Sequence, residues 1–200
     1  MVSSPKIFRK SLTGFTLIEL LVVISIIGLL ASIVLVALAQ GRAKARDAKR
    51  VADMKQIITA LNFYYDENQS TYPPVNPAAQ GPGGWEASTM PGFLSSLSKY
   101  IVASPKDPIN GYDGGSLFTR AGSYYYAYYN YPAASAANYG CTFNADFAVI
   151  GIIKLETGIK STTPKAQCGT FPSGGCPLGG IAGVCRDWST EFDYSYMLVR

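Results

Sequence analysis

From Phe15 to Ala39 the chain reads FTLIELLVVISIIGLLASIVLVALA, an apolar run broken by one charge, Glu19. As a helix this run is about 38 Å long, against a bilayer hydrocarbon core of about 30 Å. No other feature restricts the possible folds so strongly. The N-terminal part is membrane-associated, and the remainder, rich in Gly, Pro, Ser and Tyr, folds as a globular domain. A charge inside a membrane-length run costs free energy, so Glu19 calls for a specific role.

The formal charge of +4 is a poor guide to partners. Lys6, Arg9 and Lys10 precede the apolar run and no acid does. Taking them from the 17 basic residues leaves near parity with the 13 acidic ones. Such a balance argues against general nucleic-acid binding. The cations that remain cluster just past the run, as Arg42, Lys44, Arg46, Lys49, Arg50 and Lys55, where anionic lipid headgroups are their plainest counterpart. Cys141, Cys168, Cys176 and Cys185 all fall in the last third. None forms a C-x-x-C pair and the chain has no histidine, which disfavours a zinc site. An even count beyond a membrane segment predicts at least one disulfide in an oxidising compartment. Buried thiols packed as small hydrophobes are the alternative. Three pairings are possible.

Three readings of the N-terminus compete. Ala37-Leu38-Ala39 before Gln40 fits a signal-peptidase site, but the apolar run is far longer than the usual signal core of about 7–15 residues. An uncleaved anchor suits the length and leaves Glu19 without a role. It also conflicts with the charge count, because more cations follow the run than precede it, which by the positive-inside rule would keep the C-terminal part in the cytoplasm. The cysteines point the other way.

The third reading rests on Lys10-Ser11-Leu12-Thr13-Gly14-Phe15-Thr16-Leu17-Ile18-Glu19-Leu20. This stretch resembles the processing site of type IV pilins and type II secretion pseudopilins. The resemblance implies a leader over residues 1–14, cut after Gly14 by a prepilin peptidase, and methylation of the new Phe15 amine. It also implies that Glu19 acts in assembly with identical or homologous pilin subunits on an inner-membrane assembly platform. On that view the precursor is a single-pass protein of the inner membrane with its head on the extracytoplasmic side, surrounded by membrane lipid. Many pilins have a helix-breaking proline further along the run; here Gly28 is the sole intrinsic weak point.

Past Gln40-Gly41 the pattern stays helical. Val51, Met54, Ile58, Leu61 and Tyr65 recur at three- and four-residue steps, with Ile57 and Tyr64 widening the stripe. One helix over residues 15–67 is expected, with 15–39 as its transmembrane and assembly segment and 68–200 as a globular head. Asn68 to Pro74 stops it, and a loop-rich stretch runs to about Gly92. Phe93 to Tyr100 fits a short helix. Ser123–Tyr131, Ala145–Leu155 and Phe192–Val199 read as strands, the tyrosines of SYYYAYYNY alternating on a half-exposed sheet. The expected class is α+β: a pilin-like fold with a long N-terminal helix on a small antiparallel sheet.

Asp107, Asn110 and Asp113 lie in a loop resembling, loosely, the aspartate-proline turn of major pseudopilins, which bind calcium nearby. Their oxygens are of the type calcium takes, although turn chemistry alone accounts for the same composition. Without histidine there is no Ser-His-Asp or Cys-His arrangement, and neither a phosphate-cradling loop nor a GxSxG elbow is present. No enzyme is expected. The expected function is a structural subunit of a type IV pilus-like or type II secretion pseudopilus filament. The alternative is a secreted or membrane-anchored binding domain that does not polymerise. N-terminal mass analysis of the mature protein distinguishes the readings: a methylated Phe15 is expected, whereas Gln40 would indicate a signal peptide and Met1 an uncleaved anchor.

Overall fold

The computed structural model describes residues 14–113, 122–139, 141, 143–158, 168 and 188–199. It divides into two compact units, residues 1–42 and 43–200. Helix α1, Leu17–Glu67, begins in the first and ends in the second. The described α-helices are α1, α2 (Ala133–Asn138) and α3 (Trp188–Glu191). The strands are β1 (Glu86–Ala87), β2 (Tyr126–Tyr131), β3 (Phe147–Ile152) and β4 (Tyr194–Val199). This is the expected α+β, pilin-like class.

In the first unit every described residue of α1 up to Gln40 is exposed, and α1 is long and apolar enough to cross a membrane. Its polar side chains turn inward on the helix. Ser25 Oγ donates to the Leu21 carbonyl and Ser32 Oγ to the Leu29 carbonyl, each at 2.7 Å. A hydroxyl satisfied by its own backbone costs little in hydrocarbon, where an unmet polar group costs several kcal/mol.

In the second unit α1 ends where Gln69 and Ser70 take left-handed φ values of 54° and 59°. The Ser70 N–H donates to the Tyr65 carbonyl at 3.2 Å, a closure typical of helix C-termini. The four strands form one sheet in the order β1-β2-β3-β4, each pair antiparallel. Register pairs Tyr128 with Ile150 and Ile150 with Tyr196. Alternation sends Tyr126, Tyr128, Ile150, Ile152, Tyr194 and Leu198 toward one core, which they share with Met54, Ile57 and Leu61 of α1.

Several expectations need correction. The buried stripe of α1 centres on Met54, Ile57 and Leu61, while Val51, Ile58, Tyr64 and Tyr65 flank it. Extended toward the N-terminus, the same face carries the buried Asp47 and Arg50. The tyrosine strand is not half-exposed. Its second face enters another core with Trp85, Phe147, Phe192 and Trp188, in which Tyr131 stacks on Phe147 at 4.8 Å between centroids. The segment Phe93–Tyr100 forms only a three-residue 3-10 turn, Ser95–Leu97. Gly92 (φ 80°) and Leu94 (φ 49°) prevent a longer helix. The Leu94 N–H is instead drawn to the buried carboxylate of Glu86 at 2.7 Å, which also accepts from the Asn76 N–H at 2.6 Å. Burial pushes the Glu86 carboxyl up, against the pull of those two amides. Strand β1, inside the stretch expected as loop, is held partly by this bridge.

Gly151 lies in the centre of β3, where a β-branched residue would ordinarily be favoured. A Cβ there would stand 2.6 Å from the Phe192 ring and 3.0 Å from the Tyr194 carbonyl oxygen. Gly151→Val is therefore expected to destabilise the head by about 1–3 kcal/mol through overpacking. Chemical denaturation checks this, and a variant as stable as wild type would contradict the packing described.

Candidate assembly site

The N-terminal end of α1 brings Gly14, Phe15, Thr16 and Glu19 together. Gly14 is exposed, with no described residue beyond its chain neighbours within 4 Å of where a Cβ would stand, and Phe15 is 80% exposed. Thr16 caps the helix. Its Oγ1 accepts from the Glu19 N–H at 3.2 Å, and its own N–H donates to Glu19 Oε2 at 2.9 Å. The Thr16 hydroxyl donates to the same carboxylate oxygen at 2.7 Å. This is a reciprocal capping box, in which two backbone donors at the helix end are satisfied by side chains three residues apart. The positive end of the helix dipole adds a favourable field for the carboxylate.

Sequence reasoning singled out Glu19 and missed Thr16. The signal was present: Thr16-Leu17-Ile18-Glu19 has the T-x-x-E spacing before an apolar run. The Glu19 carboxylate already has a partner in its own chain.

The basic cluster past the apolar run separates into two groups. Arg46 pairs with Glu156, its Nε donating to Oε1 at 2.7 Å. Lys49 Nζ lies 2.6 Å from Asp53 Oδ2, and the Tyr126 hydroxyl donates to that same oxygen at 2.8 Å. Arg50 is fully buried and contacts three carboxylates, Asp47, Asp107 and Glu156. Burial disfavours its charge, and the surrounding carboxylates outweigh that and raise its pKa. Arg42, Lys44 and Lys55 have no carboxylate partner among the described residues. The local sequence gave no sign of this division, because Asp107 and Glu156 lie 57 and 106 residues beyond Arg50.

The proposed calcium ligands turn to separate protein partners. Asp107 accepts from Arg50, from the Ile109 N–H at 2.8 Å and from the Asn110 N–H at 3.2 Å. Asn110 Oδ1 accepts from Ser88 Oγ at 2.8 Å, and Asp113 Oδ1 from Ser123 Oγ at 2.6 Å. As arranged, these three residues do not fit a shared calcium site. Among the described residues no group of three His, Cys, Asp or Glu side chains could hold a metal. Cys141 and Cys168 form a disulfide beside the second core, with Cα atoms 4.2 Å apart. Cys176 and Cys185 lie outside the described residues.

The Arg46–Glu156–Asp47 contacts make the head sensitive to acid. The Arg46 guanidinium holds the Glu156 carboxyl below the usual carboxylate range. Burial raises Asp47, and the Glu156 and Thr157 N–H groups with the Thr157 hydroxyl more than compensate and lower it. Acids depressed by folding stabilise the head above their unfolded pKa, about 4, and that contribution is lost as pH falls through the folded values. Melting temperature should drop steeply below about pH 4, and more gently in Glu156→Gln, which is less stable at neutral pH. An equally steep acid limb in the variant would contradict this account.

A model of the prokaryotic N-terminal methylation motif matches residues 9–39. Type II secretion system core protein G of Escherichia coli is 39% identical over 97 residues, 48% of this chain and 65% of that protein. The core protein G of Klebsiella michiganensis is 42% identical over 103 residues, 52% of this chain and 72% of that protein. The Vibrio cholerae protein of the same name is 36% identical over 103 residues, 52% of this chain and 68% of that protein. The chain thus spans about two thirds of the length of these relatives, and about half of it lies outside each match. No solved structure matches it.

Proposed function

The chain belongs to the type II secretion system core protein G family, and from that premise we propose that it is a structural subunit of a pseudopilus-like filament. The observation that carries this reading is the capped carboxylate of Glu19, four residues past Phe15 at the head of the exposed apolar half of α1. A prepilin peptidase removes residues 1–14 and Phe15 becomes the methylated N-terminus. Residues 15–39 hold the precursor in the inner membrane and then form the packed centre of the filament. The head lies on the extracytoplasmic side, a reading supported by the Cys141–Cys168 disulfide. The protein acts by assembling and not by catalysis.

Glu19 sits about 6 Å along the helix from Phe15. In a single subunit the capping box satisfies it at the end of the span, which limits its cost in lipid. Among packed helices, the Phe15 amine of a neighbour shifted along the filament axis supplies the cation that the capping box lacks. Correct docking offsets the cost of a buried charge, and misaligned docking does not.

Glu19→Ala is expected to be processed and to accumulate in the membrane, yet to be scarce in filaments. It leaves the neighbouring amine unpaired, which costs about 3–5 kcal/mol at each subunit. Glu19→Gln separates pairing from capping, because glutamine still closes a capping box and carries no charge. It too should fail to assemble. Sheared filaments quantified by electron microscopy and mass spectrometry give the answer, and abundant normal filaments of Glu19→Gln would reduce the residue to a helix cap.

A further inference from the structure

Asp107 is the one proposed calcium ligand that is fully buried, and both of its carboxylate oxygens accept from protein donors. Arg50 Nε donates to Oδ2 at 2.6 Å and Nη2 to Oδ1 at 3.0 Å, a two-pronged contact with both side chains at 0% exposure. Oδ1 also accepts the Ile109 and Asn110 amides. The carboxylate thus takes four donors, three on Oδ1 and one on Oδ2, as many as the about four acceptor positions it offers.

The other side of the guanidinium is equally committed. Nη1 donates to Asp47 Oδ1 and to Glu156 Oε1, each at 2.7 Å. The ring of Tyr124 lies 5.1 Å from the guanidinium carbon and adds a cation–π contact. Asp47 is on α1, Asp107 on the turn before β2, and Glu156 on the turn after β3. Three segments far apart in sequence are thus drawn to one positive centre.

We propose that Arg50 is the built-in cation of this head, clamping the Asp107 turn and the Glu156 turn onto α1 without a metal at Asp107. Calcium takes six to eight oxygens at about 2.3–2.6 Å. To reach Asp107 it would have to break both bonds of a buried guanidinium to that carboxylate, and two cations held among the same carboxylates would repel each other. Asn110 and Asp113 are directed to Ser88 and Ser123. Arginine suits the position better than lysine, because its planar fork meets one carboxylate with two bonds and leaves the remaining nitrogen for the other two. The inference concerns how the head is held together and stands whether or not the chain forms filaments.

The test uses the full-length protein in detergent, with thermal unfolding followed in EGTA and in calcium chloride. Asp107→Asn keeps an oxygen for the Ile109 and Asn110 amides and removes the charge facing Arg50. Its melting temperature should fall by about 6 °C or more, and by the same amount in both buffers. A fall seen only in calcium, with wild type in EGTA reduced to the level of the variant, would make Asp107 a metal ligand and overturn the proposal. No fall in either buffer would overturn it as well. If Asp107→Asn does not accumulate, Arg50→Lys is measured in the same two buffers, since it keeps the charge and loses the fork. An equal loss in both supports the proposal, and no loss, or a loss confined to calcium, refutes it.

Discussion

One continuous helix must satisfy two solvents, and the rest of the molecule follows from how it does so. Over its first half α1 exposes a mostly apolar surface, on which Glu19 is closed locally by Thr16 and the hydroxyls of Ser25 and Ser32 by their own helix. Over its second half it turns a stripe of Met54, Ile57 and Leu61 into a protein core. Between these regimes the helix face carries Asp47 and Arg50. These are charges that neither lipid nor an apolar core would accept unpaired.

The head resolves that problem by delivering counter-charges from its turns. Asp107, on the turn before β2, and Glu156, on the turn after β3, reach the same arginine from the end of the antiparallel pair where Tyr126 faces Ile152. A basic run that reads as a membrane-surface patch thereby becomes, at Arg46 and Arg50, an anchor for the head. Breaking such a buried pair costs several kcal/mol, since the survivor is left buried and unpaired. The contact is thus a condition on correct packing rather than a simple addition to stability.

The sheet shows a similar dependence on distant residues. It is covered by α1 on one face and by Trp85, Trp188, Phe192 and the Cys141–Cys168 disulfide on the other. Tyrosine suits this arrangement, since a buried ring can keep its hydroxyl bonded. The Tyr128 hydroxyl donates to the Pro73 carbonyl at 2.7 Å and the Tyr126 hydroxyl to Asp53 at 2.8 Å. Gly151 is where two close-packed elements leave no room for a side chain.

The sequence by itself determined the features whose physics is local. The length and apolarity of residues 15–39, the run of helix formers to Glu67, the stop at Asn68, and β-rich segments containing β2, β3 and β4 all follow from composition and period. So does the capping box, which the spacing of Thr16 and Glu19 announces. Only the tertiary structure decided which cations of the basic run are paired, that Asp107 faces an arginine, that Ile57 lies at the centre of the buried stripe, and that both faces of the tyrosine strand are covered. It also decided β1, too short to carry a pattern, and the broken turn at Leu94, whose N–H is held by the Glu86 carboxylate. For the paired charges and the second core the reason is the same. Helix and strand periods are written between neighbouring residues, whereas the partner of a buried charge or a second packing layer arrives from 50 to 110 residues away and leaves no mark on the local pattern.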